Sequence, residues 1–181
     1  MVIASDMRVP MPGSEFEGLF GDGAAAFLIG SDDIRVRITD SHSLADEILY
    51  IWREDQDKFV RSWEERFTLE EGYYRVLPIA VSALMKRNNL SPSDFRKAIF
   101  YGPDARRHRE MAKRLGFDGH QVQPPMFGTV GDTGAAFGLM MTAAALEEAK
   151  PRDRMLLASY GNGADAFLLD EVKGFGRSRS M

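Results

Sequence analysis

The chain has 181 residues, enough for about one domain with a core that hides roughly two thirds of its unfolded surface. A composition of 44% hydrophobic and 28% charged residues excludes a disordered, collagen-like or coiled-coil chain. With 23 Lys and Arg against 27 Asp and Glu, the net charge of -4 removes any overall drive toward nucleic acid.

The first apolar run, residues 2–6, predicts a strand, and a loop rich in Pro and Gly follows over 9–14. Residues 19–30 join small residues, which permit close backbone packing, to an apolar end that suits a buried strand. Apolar and basic side chains alternate at 34–38, the period of a half-buried strand. Over 44–68, Trp52, Phe59, Trp63 and Phe67 recur at helical spacing and predict an amphipathic segment with a core-facing aromatic stripe. Its mixed, partly acidic neighbours do not suit a stacking platform for nucleic acid. Residues 70–88 predict a helix that Pro78 kinks or breaks in two.

A different rhythm begins at residue 95. A short strand at 98–101 leads to a helix over 104–115, capped by Asp104 and stopped by Gly116. A second strand is expected near 121–123, then a long Gly- and Ala-rich helix over 133–150, ended by Pro151. A third strand, 155–160, passes through the tight turn Gly161-Asn162-Gly163 into a last strand, 165–172. The basic tail 173–181 is expected to fray, and it either binds phosphate or serves as a solubilising end. This order predicts an α/β fold with a mostly parallel sheet and a final antiparallel strand. The apolar stretch 137–146 is too short to span a bilayer, and no leader pattern opens the sequence, so no membrane partner and a cytoplasmic location are expected.

Cysteine is absent, which excludes a disulfide framework, a thiolate metal site and a cysteine nucleophile in this chain. His42 and His120 lie in polar surroundings and are expected to face solvent. His108, flanked by Arg106, Arg107 and Arg109, is either a general base or part of a solvated basic helical face. No pair of histidines has metal-ligand spacing, so no metal or resident cofactor is expected. Gly21-Asp22-Gly23 lacks the later glycine and lysine of a phosphate loop. Gly131-Asp132-Thr133-Gly134 precedes a helix whose N–H groups could hold an anion, but Asp132 fits better as its cap. Gly161-Asn162-Gly163 reads either as a simple hairpin turn or as a bare backbone donor aimed into a cleft, as an oxyanion hole requires.

Four segments in order resemble one family. Phe20-Gly21-Asp22-Gly23-Ala24 is similar to the FGDGA motif of thiolase-superfamily condensing enzymes, and Gly131-Asp132-Thr133-Gly134-Ala135-Ala136 to their GNTGAA motif. Residues 146–154 resemble the helix end that follows, and 159–167 the Gly-rich final turn. The nearest branch is that of hydroxymethylglutaryl-CoA synthase-like and 3-oxoacyl-ACP synthase III-like proteins. The resemblance implies a thiolase-like half-fold with helices on both faces of the sheet. Residues 1–40 would be late strands of the N-terminal half, 41–172 the C-terminal half and 173–181 a flexible tail. It also implies acyl-CoA condensing chemistry with the acyl-CoA, or an acyl-carrier thioester, as substrate and no bound cofactor. His108, Tyr101, Asp132, Gly161 and Gly163 would be catalytic, and Asn162, Thr133 and Arg106 would bind substrate.

Three departures qualify that expectation. The half bearing the nucleophilic cysteine is almost wholly missing. The histidine position of the family falls near residues 101–104, where Tyr101 stands. Asp132 replaces an asparagine, and an ionised carboxylate cannot donate a hydrogen bond to an enolate. The expected partners are therefore a cysteine-bearing thiolase-like subunit and a zinc-ribbon/OB-fold companion. Without such a partner, exposed apolar surface should drive self-association. The alternative is a non-catalytic acyl-CoA-binding or assembly module built on the same fold.

Overall fold

The computed structural model describes residues 1–171, so the tail expected at 173–181 lies outside the described residues. β1 (Val2–Asp6) pairs antiparallel with β2 (Gly23–Phe27) as a separate two-stranded sheet. The apolar end expected to bury β2 does not do so: Leu28 is 88% exposed and Ile29 56%. Burial along both strands alternates because only one face of this small sheet is covered, by the helix that follows the GDTG turn.

β3 (Val36–Ala45) overlaps the strand expected at 34–38 but starts two residues later and runs on to Ala45, with Ile38 53% exposed. The amphipathic helix expected over 44–68 does not form. Its chain reverses through two short antiparallel strands, β4 (Ile51–Trp52) and β5 (Arg61–Ser62). Trp52 and Trp63 meet across this hairpin with ring centroids 5.5 Å apart. Trp63 stays 58% exposed and Phe67 51%, so the aromatics pair locally instead of facing the core. Helix starts only at α1 (Glu65–Phe67), a single turn capped by the Glu64 carboxylate, and widens into a π-type turn over Thr68–Tyr73. α2 (Tyr74–Arg87) then runs on with Pro78 inside it and no break there. The hydrogen bond that Pro78 cannot donate is the one to the Tyr74 carbonyl, in the first turn of α2 where it joins the widened turn.

β6 (Lys97–Phe100) and α3 (Ala105–Arg114) follow as expected; Asp104 accepts from the Arg106 and Arg107 N–H groups and Gly116 closes the helix. The strand expected near 121–123 is reduced to a single parallel bridge between Val122 and Ala98. The long helix begins later than expected, after the tight turn Gly134–Ala136, as α4 (Phe137–Glu148). β7 (Arg154–Gly161) and β8 (Gly163–Glu171) form the final hairpin.

The central sheet has the order β3-β8-β7-β6. Parallel pairing is confined to β6–β7 and the Val122 bridge, while β3–β8 and β8–β7 are antiparallel. The mostly parallel sheet expected is thus corrected to a mixed one, because β3 adds itself to the hairpin strand β8. The α/β class and the final antiparallel strand stand. Helices cover both faces: α2 and α3 pack on Leu156, Ala158 and Leu168, and α4 packs on Ile99, Met155 and Leu169. Adjacent residues of β7 alternate between the two cores, as a strand buried on both faces must. Among the described residues no helix is long and apolar enough to cross a membrane.

Candidate functional site

The FGDG and GDTG turns lock together. Phe20 and Asp132 form a parallel bridge, with the Asp132 N–H donating to the Leu19 carbonyl (2.7 Å) and the Gly21 N–H to the Asp132 carbonyl (3.1 Å). A side-chain carbon at Gly21 would overlap the Val130 carbonyl, so close approach of these backbones requires glycine there. The contact anchors the Asp132 carboxylate with none of its residue exposed.

Three groups donate to that carboxylate among the described residues. Arg8 Nη2 lies 2.6 Å from Oδ1, the Gly134 N–H 2.9 Å from Oδ1, and the Tyr101 hydroxyl 3.1 Å from Oδ2. Arg8 leaves the end of β1, stacks its guanidinium over the Phe20 ring at 4.7 Å and reaches Asp6 at 3.5 Å. Asp6 in turn accepts from the Ala135 N–H at 3.1 Å. Burial pushes the Asp132 carboxyl above its usual range, while Arg8, the Gly134 N–H and Tyr101 pull against that rise. Burial and the Asp132 charge hold the Tyr101 phenol well above its ordinary value. Burial opposes the Arg8 cation, but Tyr101 and the two carboxylates outweigh it, and its pKa rises.

Above this cluster opens a cleft of about 490 Å³ whose lining includes Asp6, Arg8, Tyr101, Gly134, Asn162 and Asp165. Gly161 and Gly163 also line it, paired across the β7–β8 turn. Gly163 has φ +111°, and a side-chain carbon there would overlap the Leu44 carbonyl, so the turn is open to glycine alone. The cleft therefore presents a phenol, a side-chain amide, a Gly-bracketed backbone turn and a guanidinium held by carboxylates.

Of the residues singled out in the sequence, Tyr101, Gly161, Asn162 and Gly163 line the cleft, and Asp132 lies beneath it. Thr133 is buried beside them, its hydroxyl directed to Met140 Sδ at 3.4 Å. Arg106 is on the exposed side of α3, paired with Glu110. His108 is fully buried against Phe100, belongs neither to the cleft nor to a solvated helical face, and has no hydrogen-bond partner on either ring nitrogen. Burial, with a smaller contribution from Arg109, lowers it to about 4. His120 is exposed as expected; His42 is half-buried on β3. Among the described residues no imidazole lines the cleft. Sequence reading gave no role to Asp6, the last residue of the predicted first strand, or to Arg8, just before the predicted loop. One signal was available: a buried Asp at the Asn position of the motif requires a compensating cation. Among the described residues, no group of His, Asp and Glu is arranged to hold a metal ion.

Residues 85–168 match the family model of the 3-oxoacyl-[acyl-carrier-protein] synthase III C-terminal region. The chain is 34% identical over 170 residues to a hydroxymethylglutaryl-CoA synthase of Methanopyrus kandleri, covering 92% of this chain and 48% of that protein. It is 35% identical over 176 residues to the corresponding protein of Aeropyrum pernix, covering 93% and 48%. The chain thus spans about half the length of the curated relatives it matches. A crystal structure of HMG-CoA synthase complexed with CoA superimposes with a TM-score of 0.81 at 21% identity, over 96% of this chain and 49% of that one. The 3-oxoacyl-[acyl-carrier-protein] synthase III of Aquifex aeolicus superimposes with a TM-score of 0.72 at 20% identity, over 84% and 50%. With the interlocked FGDG and GDTG turns and the helix-covered sheet, these matches show a thiolase-like fold that is similar to the C-terminal half of thiolase-like condensing enzymes.

Proposed function

We propose that this chain forms one half of an acyl-thioester condensing site and takes its nucleophilic cysteine from elsewhere, either a separate subunit or further residues of a longer protein. The observation that carries the reading is convergence: the GDTG turn, the end of β6 and the β7–β8 turn, far apart in sequence, meet at one cleft. Covalent acyl transfer needs a thiolate, and this chain has no cysteine to supply one. In this reading the partner's thiolate displaces the CoA thiolate from the acyl carbonyl. The Gly161 and Gly163 backbone holds the carbonyl oxygen, while Asn162 and Tyr101 orient the acyl group. His108 takes no part, since it lies outside the cleft. The substrate is an acyl-CoA or an acyl-carrier thioester, no resident cofactor is required, and a zinc-ribbon/OB-fold companion belongs to the same assembly in the cytoplasm. Val2 and Ile3, 50% and 59% exposed beside Leu28, supply apolar surface for a partner or for self-association.

A second reading, a non-catalytic acyl-CoA-binding or assembly module, is favoured by the Asp132 carboxylate, whose oxygens are already taken up by Arg8, Gly134 and Tyr101. One experiment separates the two. The purified chain is weighed in solution alone, with acetyl-CoA, and with a cysteine-bearing first half from a thiolase-like relative. Complex formation with acyl transfer above that of the first half alone supports the condensing reading. CoA binding with no transfer in the complex supports the module. A monomer indifferent to both additions removes both.

A further inference from the structure

We propose that Arg8 is the positioning residue of this cleft: it ties the Asp132 carboxylate to the end of β1 and thereby sets the direction of the Tyr101 hydroxyl that faces the bound acyl group. The inference deepens the function proposed above and rests on it for the identity of the ligand. Its grounds are geometric. Arg8 and the Gly134 N–H can only donate, and both donate to the same Asp132 oxygen, Oδ1, at 2.6 and 2.9 Å. The carboxylate is therefore the form the surroundings are built to hold, and Arg8 is the only cation among these donors. Tyr101 has one proton, and Asp132 takes it in a hydrogen bond. The phenolic oxygen consequently has no proton to offer the cleft.

Arg8 is itself held from several sides. Asp6 lies 3.5 Å from its Nε, the Phe20 ring lies beneath its guanidinium, and only 12% of its side chain is exposed. Phe20 belongs to the FGDG turn and Asp132 to the GDTG turn, so one side chain from a third segment clamps the two motifs. A planar fork suits that task, whereas the point charge of a lysine would keep the charge and lose the stacking.

The test uses the chain as it stands with Arg8→Gln, Arg8→Lys and the double variant Arg8→Gln/Asp132→Asn. Infrared spectra, each subtracted from that of the matching Asp132→Asn protein, report whether Asp132 carries a proton at neutral pH. Acetyl-CoA affinity is measured in parallel. Arg8→Gln should acquire the protonated-carboxyl band absent from the unaltered chain and lose about tenfold in affinity, the worth of one charge-assisted hydrogen bond. Arg8→Lys should restore the ionised carboxylate but only part of the affinity. An ionised Asp132 in Arg8→Gln, or unaltered affinity in that variant, overturns the proposal. If Arg8→Gln does not fold, the double variant decides: full affinity with both charges gone also overturns it, and a loss supports it. Should the unaltered chain bind no acetyl-CoA, the function proposed above fails, and the infrared result still decides the role of Arg8.

Discussion

Asp132 and His108 are both completely buried and titratable, and their surroundings could hardly differ more. Asp132 lies under the cleft with three donors on its carboxylate, one of them a cation. His108 lies on α3 against the Phe100 ring with no partner on either nitrogen. Equal burial therefore produces opposite chemistry: the partnered carboxylate is an organised feature of the site, while the imidazole is held neutral as filling for the core. Burial alone is no guide to function; the partners are.

The comparison predicts its largest effect at Asp132. Asp132→Asn leaves Arg8 with only the more distant Asp6 and should cost about 3–5 kcal/mol, the usual penalty for halving a buried pair. Urea denaturation checks it, and Arg8→Gln/Asp132→Asn should lose at least about 1 kcal/mol less than the sum of the single changes. Strictly additive losses would mean that the two residues do not form a unit.

His108 comes next. In the unfolded chain the imidazole takes up a proton near its ordinary value of 6.5, whereas in the folded chain it resists until about 4. Stability is thus fully present above about pH 6.5 and falls as the pH drops toward 4, by about 3 kcal/mol in all. His108→Leu should flatten that slope in denaturation curves collected across the interval. An unchanged slope would show that the buried imidazole is not its source.

The smallest effect belongs to an exposed contrast to both. Asp40 accepts two bonds from Arg87, at 2.8 and 2.7 Å, and one from Asn88 at 2.7 Å, joining β3 to the end of α2. The Arg87 bonds, helped by Asn88, lower it to about 2 from 3.8. Its contribution is complete above about pH 4 and fades as the pH falls to 2, so Asp40→Asn should cost a little stability at neutral pH and progressively less as the pH falls to 2. A thermal melt series at low pH distinguishes this from a loss at all pH values, which would mean a packing role.

Much of the fold was legible because its signals are local. The Asp104 cap, the Gly116 stop and the apolar runs of β6, β7 and β8 follow from backbone chemistry and period. Trp52, Phe59, Trp63 and Phe67 misled because their spacing satisfies a helix, while Trp52 pairs with Arg61 across the hairpin and its ring meets that of Trp63 just beyond β5. The position of β3 beside β8 was equally hidden, since strand order carries no local signature. Motif order pointed to Tyr101 and the Gly161-Asn162-Gly163 turn, which line the cleft, whereas His108 points inward while its neighbours Arg106 and Arg109 are exposed.

By itself the sequence determined the α/β class, the final hairpin, the absence of a cysteine nucleophile and an acidic residue at the place where the family motif has an amide. Only the tertiary structure decided that Arg8, 124 residues away, answers that charge, and that no imidazole reaches the cleft. The reason is physical. Caps, turns and periodicities are short-range consequences of backbone geometry, whereas the partner of a buried carboxylate is chosen by which distant segments the packed sheets bring within hydrogen-bond reach.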